Sequence, residues 1–176
     1  KGTKANFWIF MKPGKHGSTD KRLKLTDMED TRFLHCNIKT LNLLVNVMAA
    51  EKAEEAGCGE CVFHRGDIVT ECAHSNVSII KDGIFKTHPA DHYILPGITR
   101  MHLIQICKDN GIPVDETPFT MQELMDADEV IVSSSTKFCA PACEMNGTPI
   151  GGKAPELISL LQEKYLEKFE NETKAE

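Results

Sequence analysis

Two runs of strand-forming residues, 75–81 and 84–87, are separated by Asp82-Gly83. That dipeptide is the strongest short hairpin signal in the chain, because both turn positions favour positive φ, which Gly and Asp tolerate. A second pair of β runs, 60–64 and 68–71, is joined through Arg65-Gly66-Asp67. Antiparallel hairpins in mid-chain exclude a purely doubly wound parallel sheet. Helical periods occur on both sides of them, so the expected class is mixed α/β (α+β).

The first helical period begins at Thr40. Leu41, Leu44, Val45 and Met48 repeat at i, i+3, i+4 and i+7, which predicts a buried stripe on a helix that stops at Gly57. Pro96-Gly97 opens a helix over 98–109, closed by Gly111. Thr120 and Glu123 have capping-box spacing for a short helix ending near Ala127. A last amphipathic helix is expected over 154–169, with Leu157, Ile158, Leu161, Tyr165 and Leu166 on its apolar side. Residues 129–132 read as a strand running into a Ser/Thr turn. Residues 32–38 and 112–119 read as extended, and 5–11 as a strand followed by a breaker-rich, basic linker over 12–18.

A chain of 176 residues is one domain's worth and buries roughly 70% of its unfolded surface. The net charge of −6 argues against a nucleic-acid surface. No apolar run is long enough for a transmembrane helix, and residues 1–11 do not form a secretory signal. Seven cysteines without such a signal suggest reduced thiols in a cytoplasm. Cys58-Gly59-Glu60-Cys61 with His64, and the pair Cys139 and Cys143, raise a metal or redox site. Cys61 and His64 fall on opposite faces of a strand by parity, so no metal is expected.

Five segments carry chemistry as a set. They are Asn37-Ile38-Lys39-Thr40-Leu41-Asn42, Thr70-Glu71-Cys72-Ala73-His74-Ser75-Asn76, Thr87-His88-Pro89-Ala90, Leu95-Pro96-Gly97-Ile98-Thr99-Arg100 and Ser133-Ser134-Ser135. Their order and spacing resemble the class IV aminotransferases, the fold-type IV pyridoxal-phosphate enzymes, and within them the D-amino-acid (D-alanine) aminotransferases. The resemblance covers about residues 5–170. It implies a β-barrel-like mixed sheet with flanking helices, pyridoxal 5'-phosphate as cofactor, and a cytoplasmic homodimer. It implies transamination of a D-amino acid such as D-alanine with a 2-oxo acid such as 2-oxoglutarate. Branched-chain aminotransferase and 4-amino-4-deoxychorismate lyase are the related alternatives.

The resemblance also assigns roles. Lys39 matches the Schiff-base lysine, whose uncharged amine then carries a proton during transamination. Glu71 matches the carboxylate that keeps the cofactor's ring nitrogen protonated. Ile98 and Thr99 match a phosphate cup at a helix start, and Ser134 and Ser135 a second phosphate loop. Leu95 matches a residue packing on the cofactor ring, and Arg32 an arginine of the active-site region. Cys72-Ala73-His74 stands where the D-amino-acid enzymes commonly carry Gly-Ser-Ser, so two hydroxyls near the cofactor are lost. The resemblance further implies a small domain ahead of this segment. Residues 1–18 then read as its last strand plus linker, and 19–176 as the cofactor-binding large domain. A truncated domain that binds cofactor without turnover is the alternative from another class.

Overall fold

The computed structural model describes residues 4, 6–11 and 21–174. Its elements run β1 (Leu23–Glu29), α1 (Leu44–Glu55), β2 (Glu60–Arg65), β3 (Ile68–Cys72), β4 (Asn76–Lys81) and β5 (Ile84–Thr87). Then follow α2 (Ile98–Asp109), β6 (Val114–Asp115), α3 (Met121–Asp126), β7 (Glu129–Ser134), β8 (Phe138–Met145), β9 (Thr148–Pro149) and α4 (Pro155–Thr173). Among the described residues the strands form one mixed sheet in the order β3-β2-β1-β8-β7-β4-β5-β6, with β9 paired to β8. β1 is parallel to both its neighbours, whereas β2–β3, β4–β5, β4–β7 and β7–β8 are antiparallel.

β3 lies at one edge and β4 is sixth along the sheet, yet only residues 73–75 join them. Cys72 N–H donates to Ser75 O across that link at 2.7 Å. So short a link forces the sheet to curl into a half-barrel, and the fold is mixed α/β with flanking helices, as expected. Strand alternation then sends neighbouring side chains into different cores. Ile79, Val130 and Val132 join Leu25, Val62 and Phe119 on one face. Ile80 and Ile131 meet Leu103 and Cys107 of α2 and Ile158, Leu161 and Tyr165 of α4 on the other.

The Asp82-Gly83 turn carries positive φ at both positions, as a two-residue hairpin demands. The α2 helix has the bounds expected from the sequence, and the Thr120–Glu123 capping box is formed at both of its hydrogen bonds. The α4 helix continues to Thr173, one turn past the expected end. Only Val114–Asp115 of the extended 112–119 stretch pairs as a strand.

Four readings change. Of the strand expected over 5–11, the described residues 6–11 are not in a strand and pair with no described neighbour, and a strand without a partner leaves its backbone groups to water. Ala5 and the linker over 12–18 lie outside the described residues. Residues 32–38 are a loop with a turn at Cys36 and Asn37 rather than an extended run, and Cys36 N–H donates to His92 O. The strand in that region lies earlier, as β1. The first helix starts at Leu44, not near Thr40, and of its predicted stripe only Val45 packs inward while the other three residues face outward. Leu41 is 95% exposed, Leu44 70% and Met48 53%. The helix instead packs through Ala49 and Ala53 against Cys61 and Phe63 of β2, because small side chains let it lie close to the sheet.

Candidate active site

The loop between β1 and α1, the end of β3, the start of β4, the start of α2 and the β7–β8 turn meet at one end of the curled sheet. They enclose a cavity of about 540 Å³. All eight residues singled out from the sequence line it: Arg32, Lys39, Glu71, Leu95, Ile98, Thr99, Ser134 and Ser135.

Glu71 is the centre of one wall. Its Oε1 accepts from Arg32 Nη1 at 2.5 Å, and its Oε2 accepts from Asn76 Nδ2 at 2.9 Å and from Leu95 N–H at 3.0 Å. Asn76 Nδ2 also donates to Leu95 O at 2.8 Å, so Leu95 is clamped through its backbone while its side chain lines the cavity. Burial pushes the Glu71 carboxyl up, to about 7, with the Arg32 guanidinium and the Leu95 N–H pulling the other way.

Arg32 is buried and shared. It donates to Asp30 from Nε and Nη2, both at 2.9 Å, and to Tyr93 O at 3.1 Å, and it stacks 4.5 Å over the Phe63 ring. Burial opposes its charge, but Asp30 and Glu71 raise its pKa. Asp30 also accepts from Thr70 Oγ1 at 3.0 Å and pairs with Arg65 at 3.3 Å. Against the upward push of burial, Arg32 holds the Asp30 carboxyl below the usual carboxylate range.

The opposite end of the cavity is a donor cradle. Gly97 caps α2 without any side-chain hydrogen bond, so the first N–H groups at Ile98 and Thr99 have no capping side chain. A Cβ on Gly97 would stand 2.2 Å from Asn76 Oδ1, so glycine is needed here for close approach. Across from it, Ser133 Oγ is buried and has no hydrogen-bond partner among the described residues. Ser134 Oγ accepts from Lys137 N–H at 3.1 Å and meets Thr136 Oγ1 at 3.3 Å. Thr99 is not a free hydroxyl: its Oγ1 lies 3.1 Å from Tyr165 Oη. Lys39 lines the cavity from an exposed position, and among the described residues no hydrogen bond or ion pair engages its amine.

Sequence reasoning missed Asn76, Gly97 and Ser133 as individual site residues. Asn76 and Gly97 stood inside the quoted segments, but only their mutual contact reveals why those types occur there. Ser133 stood one place before the two serines selected.

The CxxC motif does not converge on a metal. His64 Nε2 meets Asp27 Oδ2 at 3.0 Å and its Nδ1 meets Gly66 O at 2.6 Å. Burial pushes the Cys61 thiol up to about 12, which disfavours the thiolate a metal needs. Among the described residues no group of three His, Cys, Asp or Glu side chains could hold an ion.

Comparison with known proteins identifies the geometry. The Amino-transferase class IV family matches residues 1–145. The chain belongs to this family. A D-alanine aminotransferase of Listeria monocytogenes serotype 1/2a (strain 10403S) is 47% identical over 142 residues, which is 80% of this chain and 49% of that protein. The chain therefore spans about half the length of the curated relatives it matches. The branched-chain aminotransferase of Thermoproteus uzoniensis, solved with norvaline, superposes with a TM-score of 0.74 at 27% identity, over 90% of this chain and 56% of that one. A hypothetical aminotransferase from Mycobacterium tuberculosis in its PLP-bound form shares the fold, with a TM-score of 0.73 at 20% identity over 84% of this chain and 56% of that one.

Class IV aminotransferases are pyridoxal-phosphate enzymes. The residues present fit that group. A phosphate needs donors, and the cavity supplies uncapped helix N–H groups and the orphaned Ser133 hydroxyl. A protonated pyridine needs a carboxylate beside it, and Glu71 is a buried one paired with Arg32. An aldehyde needs an amine, and Lys39 has one with no partner among the described residues. Among the described residues no helix is long and apolar enough to cross a membrane.

Proposed function

We propose that this chain supplies the cofactor-holding part of an enzyme that transaminates a D-amino acid, D-alanine first, with a 2-oxo acid such as 2-oxoglutarate. In that reading residues 19–176 form the cofactor-binding domain. The observation that carries it is the shared cavity: Lys39, Glu71, the α2 start and the serine loop line one space.

When bound, pyridoxal phosphate supplies an electron sink that lowers the cost of removing the substrate's α-proton. Lys39 Nζ would hold the cofactor through its aldehyde carbon, with the aldehyde oxygen leaving as water. The same nitrogen, when free, would be the base that takes the substrate's α-proton and returns it to the neighbouring carbon. Glu71 would stand against the ring nitrogen and, ionised, would favour the protonated ring. Arg32 does not touch the ligand in this scheme; it keeps Glu71 charged and aimed, since a buried carboxylate alone is costly. The first N–H groups of α2 and the hydroxyls of Ser133, Ser134 and Ser135 receive the phosphate, where the helix dipole adds attraction. Leu95 holds one face of the ring.

D-Alanine is preferred to a branched-chain substrate because the relatives named D-alanine aminotransferase are 47% identical, against 27% for the branched-chain enzyme of T. uzoniensis. The exposed Leu41, Leu44 and Met48 supply apolar surface for the homodimer of this reading.

The test uses the protein at its full natural length with added pyridoxal phosphate. The long-wavelength absorbance of the bound cofactor is expected to fall on adding D-alanine and to stay on adding L-leucine. The reverse response would replace this reading by the branched-chain one. In Lys39→Ala, borohydride reduction is expected to leave no cofactor mass on the protein; a retained label would remove Lys39 from its role.

A further inference from the structure

We infer that Tyr165 of the last helix is a positioning residue for the cofactor's phosphate, acting through Thr99. The inference rests on the reading of the cavity given above. Tyr165 lies on α4, beyond residues 1–145 that the family matches. It is 7% exposed and sits among Ile158, Leu161 and Phe138, with ring centroids 5.3 Å apart from Phe138 and 6.1 Å from His102. That packing fixes the ring without help from its hydroxyl. The hydroxyl nevertheless reaches Thr99 Oγ1, 3.1 Å away, and Thr99 is itself buried at the start of α2 where it lines the cavity.

Each of these hydroxyls has one proton to give. If Thr99 donates to Tyr165, it turns only lone pairs toward the cavity, which a phosphate dianion repels. If Tyr165 donates to Thr99, the Thr99 proton is free for a phosphate oxygen. A bound phosphate therefore selects the direction Tyr165 to Thr99 to phosphate. The phenol then polarises the threonine hydroxyl and strengthens its donation, as hydrogen bonds in a chain do. It also selects the side-chain rotamer. Threonine in a helix divides between two χ1 wells when its hydroxyl can turn back to a carbonyl. At Thr99 the carbonyl four residues back is Leu95 O, already taken by Asn76 Nδ2 and Gly97 N–H. Tyr165 thus sets the one hydroxyl of the α2 cradle, and couples the phosphate end of the cavity to the C-terminal helix.

The experiment compares wild type, Tyr165→Phe, Thr99→Val and the double variant at full natural length, titrating the cofactor-free protein with pyridoxal phosphate and with pyridoxal. Pyridoxal keeps the ring and aldehyde and lacks the phosphate. Tyr165→Phe is expected to raise the Kd for pyridoxal phosphate roughly three- to tenfold, the size of one lost charge-assisted hydrogen bond passed through a relay. Its Kd for pyridoxal is expected to stay at the wild-type value, and Tyr165→Phe is expected to add nothing once Thr99 is valine. Equal weakening toward both ligands would make Tyr165 merely structural and overturn the inference. So would an unchanged Kd for pyridoxal phosphate, or effects at the two residues that simply add. Wild-type protein that takes up neither ligand would overturn the reading of the cavity, and this inference with it.

Discussion

On one wall of the cavity Glu71, Arg32, Asn76 and the Leu95 backbone are joined by four hydrogen bonds, and Asp30, Thr70 and Arg65 back them. On the other wall Lys39 is exposed, and Ile38 and Leu43 line the same side at 56% and 45% exposure. The first wall is made of charge that would be intolerable if unpaired, so its geometry is over-determined. The second is made of groups that pack or react only with something laid over them. The contrast separates two tasks. In the proposed reading the first wall holds the cofactor ring in a fixed electrostatic setting. The Lys39 amine, in the same reading, needs room to exchange one partner for another, and it sits on a loop.

The partnered wall is where substitution costs most. Arg32→Met is expected to destabilise the fold by about 3–5 kcal/mol, because it takes the buried guanidinium from Glu71 and leaves Asp30 to Arg65 and Thr70. Urea unfolding measures it, and a loss below about 1 kcal/mol would show that the clamp is not pre-formed. Gly97→Ala is expected to cost about 1–3 kcal/mol, since the new Cβ forces Asn76 away from Glu71. Binding of pyridoxal phosphate is expected to weaken with it, as a titration would show.

The next effect is on pH dependence. The Glu71 carboxyl is raised, so between pH 4.5 and about 7 the folded state holds a proton that the unfolded chain has lost. Its contribution to stability is therefore greatest at the acidic end and is lost as pH rises through that window. Glu71→Gln is expected to remove that slope from the unfolding midpoints; an identical slope in both proteins would assign it elsewhere. The exposed apolar residues just ahead of α1 and at its start are expected to respond least. Leu41→Ser with Leu44→Ser is expected to change the stability of a single chain by no more than about 0.5 kcal/mol. Sedimentation of the same variant tests whether that face is buried between copies: dissociation is expected, and an unchanged mass would leave it as plain surface.

Local pattern carried part of this. The Asp82-Gly83 turn, the Thr120–Glu123 box and the Pro96-Gly97 helix start are signals written within a few residues, and all three are formed. Helix α1 was legible as a helix, but its buried face was not. Leucine spacing favoured the outward side, whereas the sheet accepted the alanines, a preference set by how near Phe63 and Cys61 come. Strand β1 was missed because half its residues are charged or polar. Its Asp27 is made tolerable by His64 and Asn146, which lie far along the chain. Strand β8 was missed because its Ala, Pro and Glu residues have weak strand preference. Its Ala140 and Ala142 are nonetheless buried, Ala142 in the core shared with Leu25 and Val62. For the site, residue types and order sufficed to gather eight residues in one cavity. The Asn76–Gly97 contact and the use of the Thr99 hydroxyl depend on tertiary geometry alone.

The parallel pairing of β1 with β8 has a consequence for how the molecule is made. Leu23 and Cys143 meet across 120 positions of chain, and Arg22 reaches Glu129 and Ala142 over a similar span. Contacts of such long range slow folding, because loop closure precedes any reward. During synthesis Lys39 and Glu71 leave the ribosome well before the serine loop and β8 that shape the space between them. The cavity is accordingly expected to be completed late, and in the proposed reading pyridoxal phosphate would meet a finished half-barrel rather than seed one.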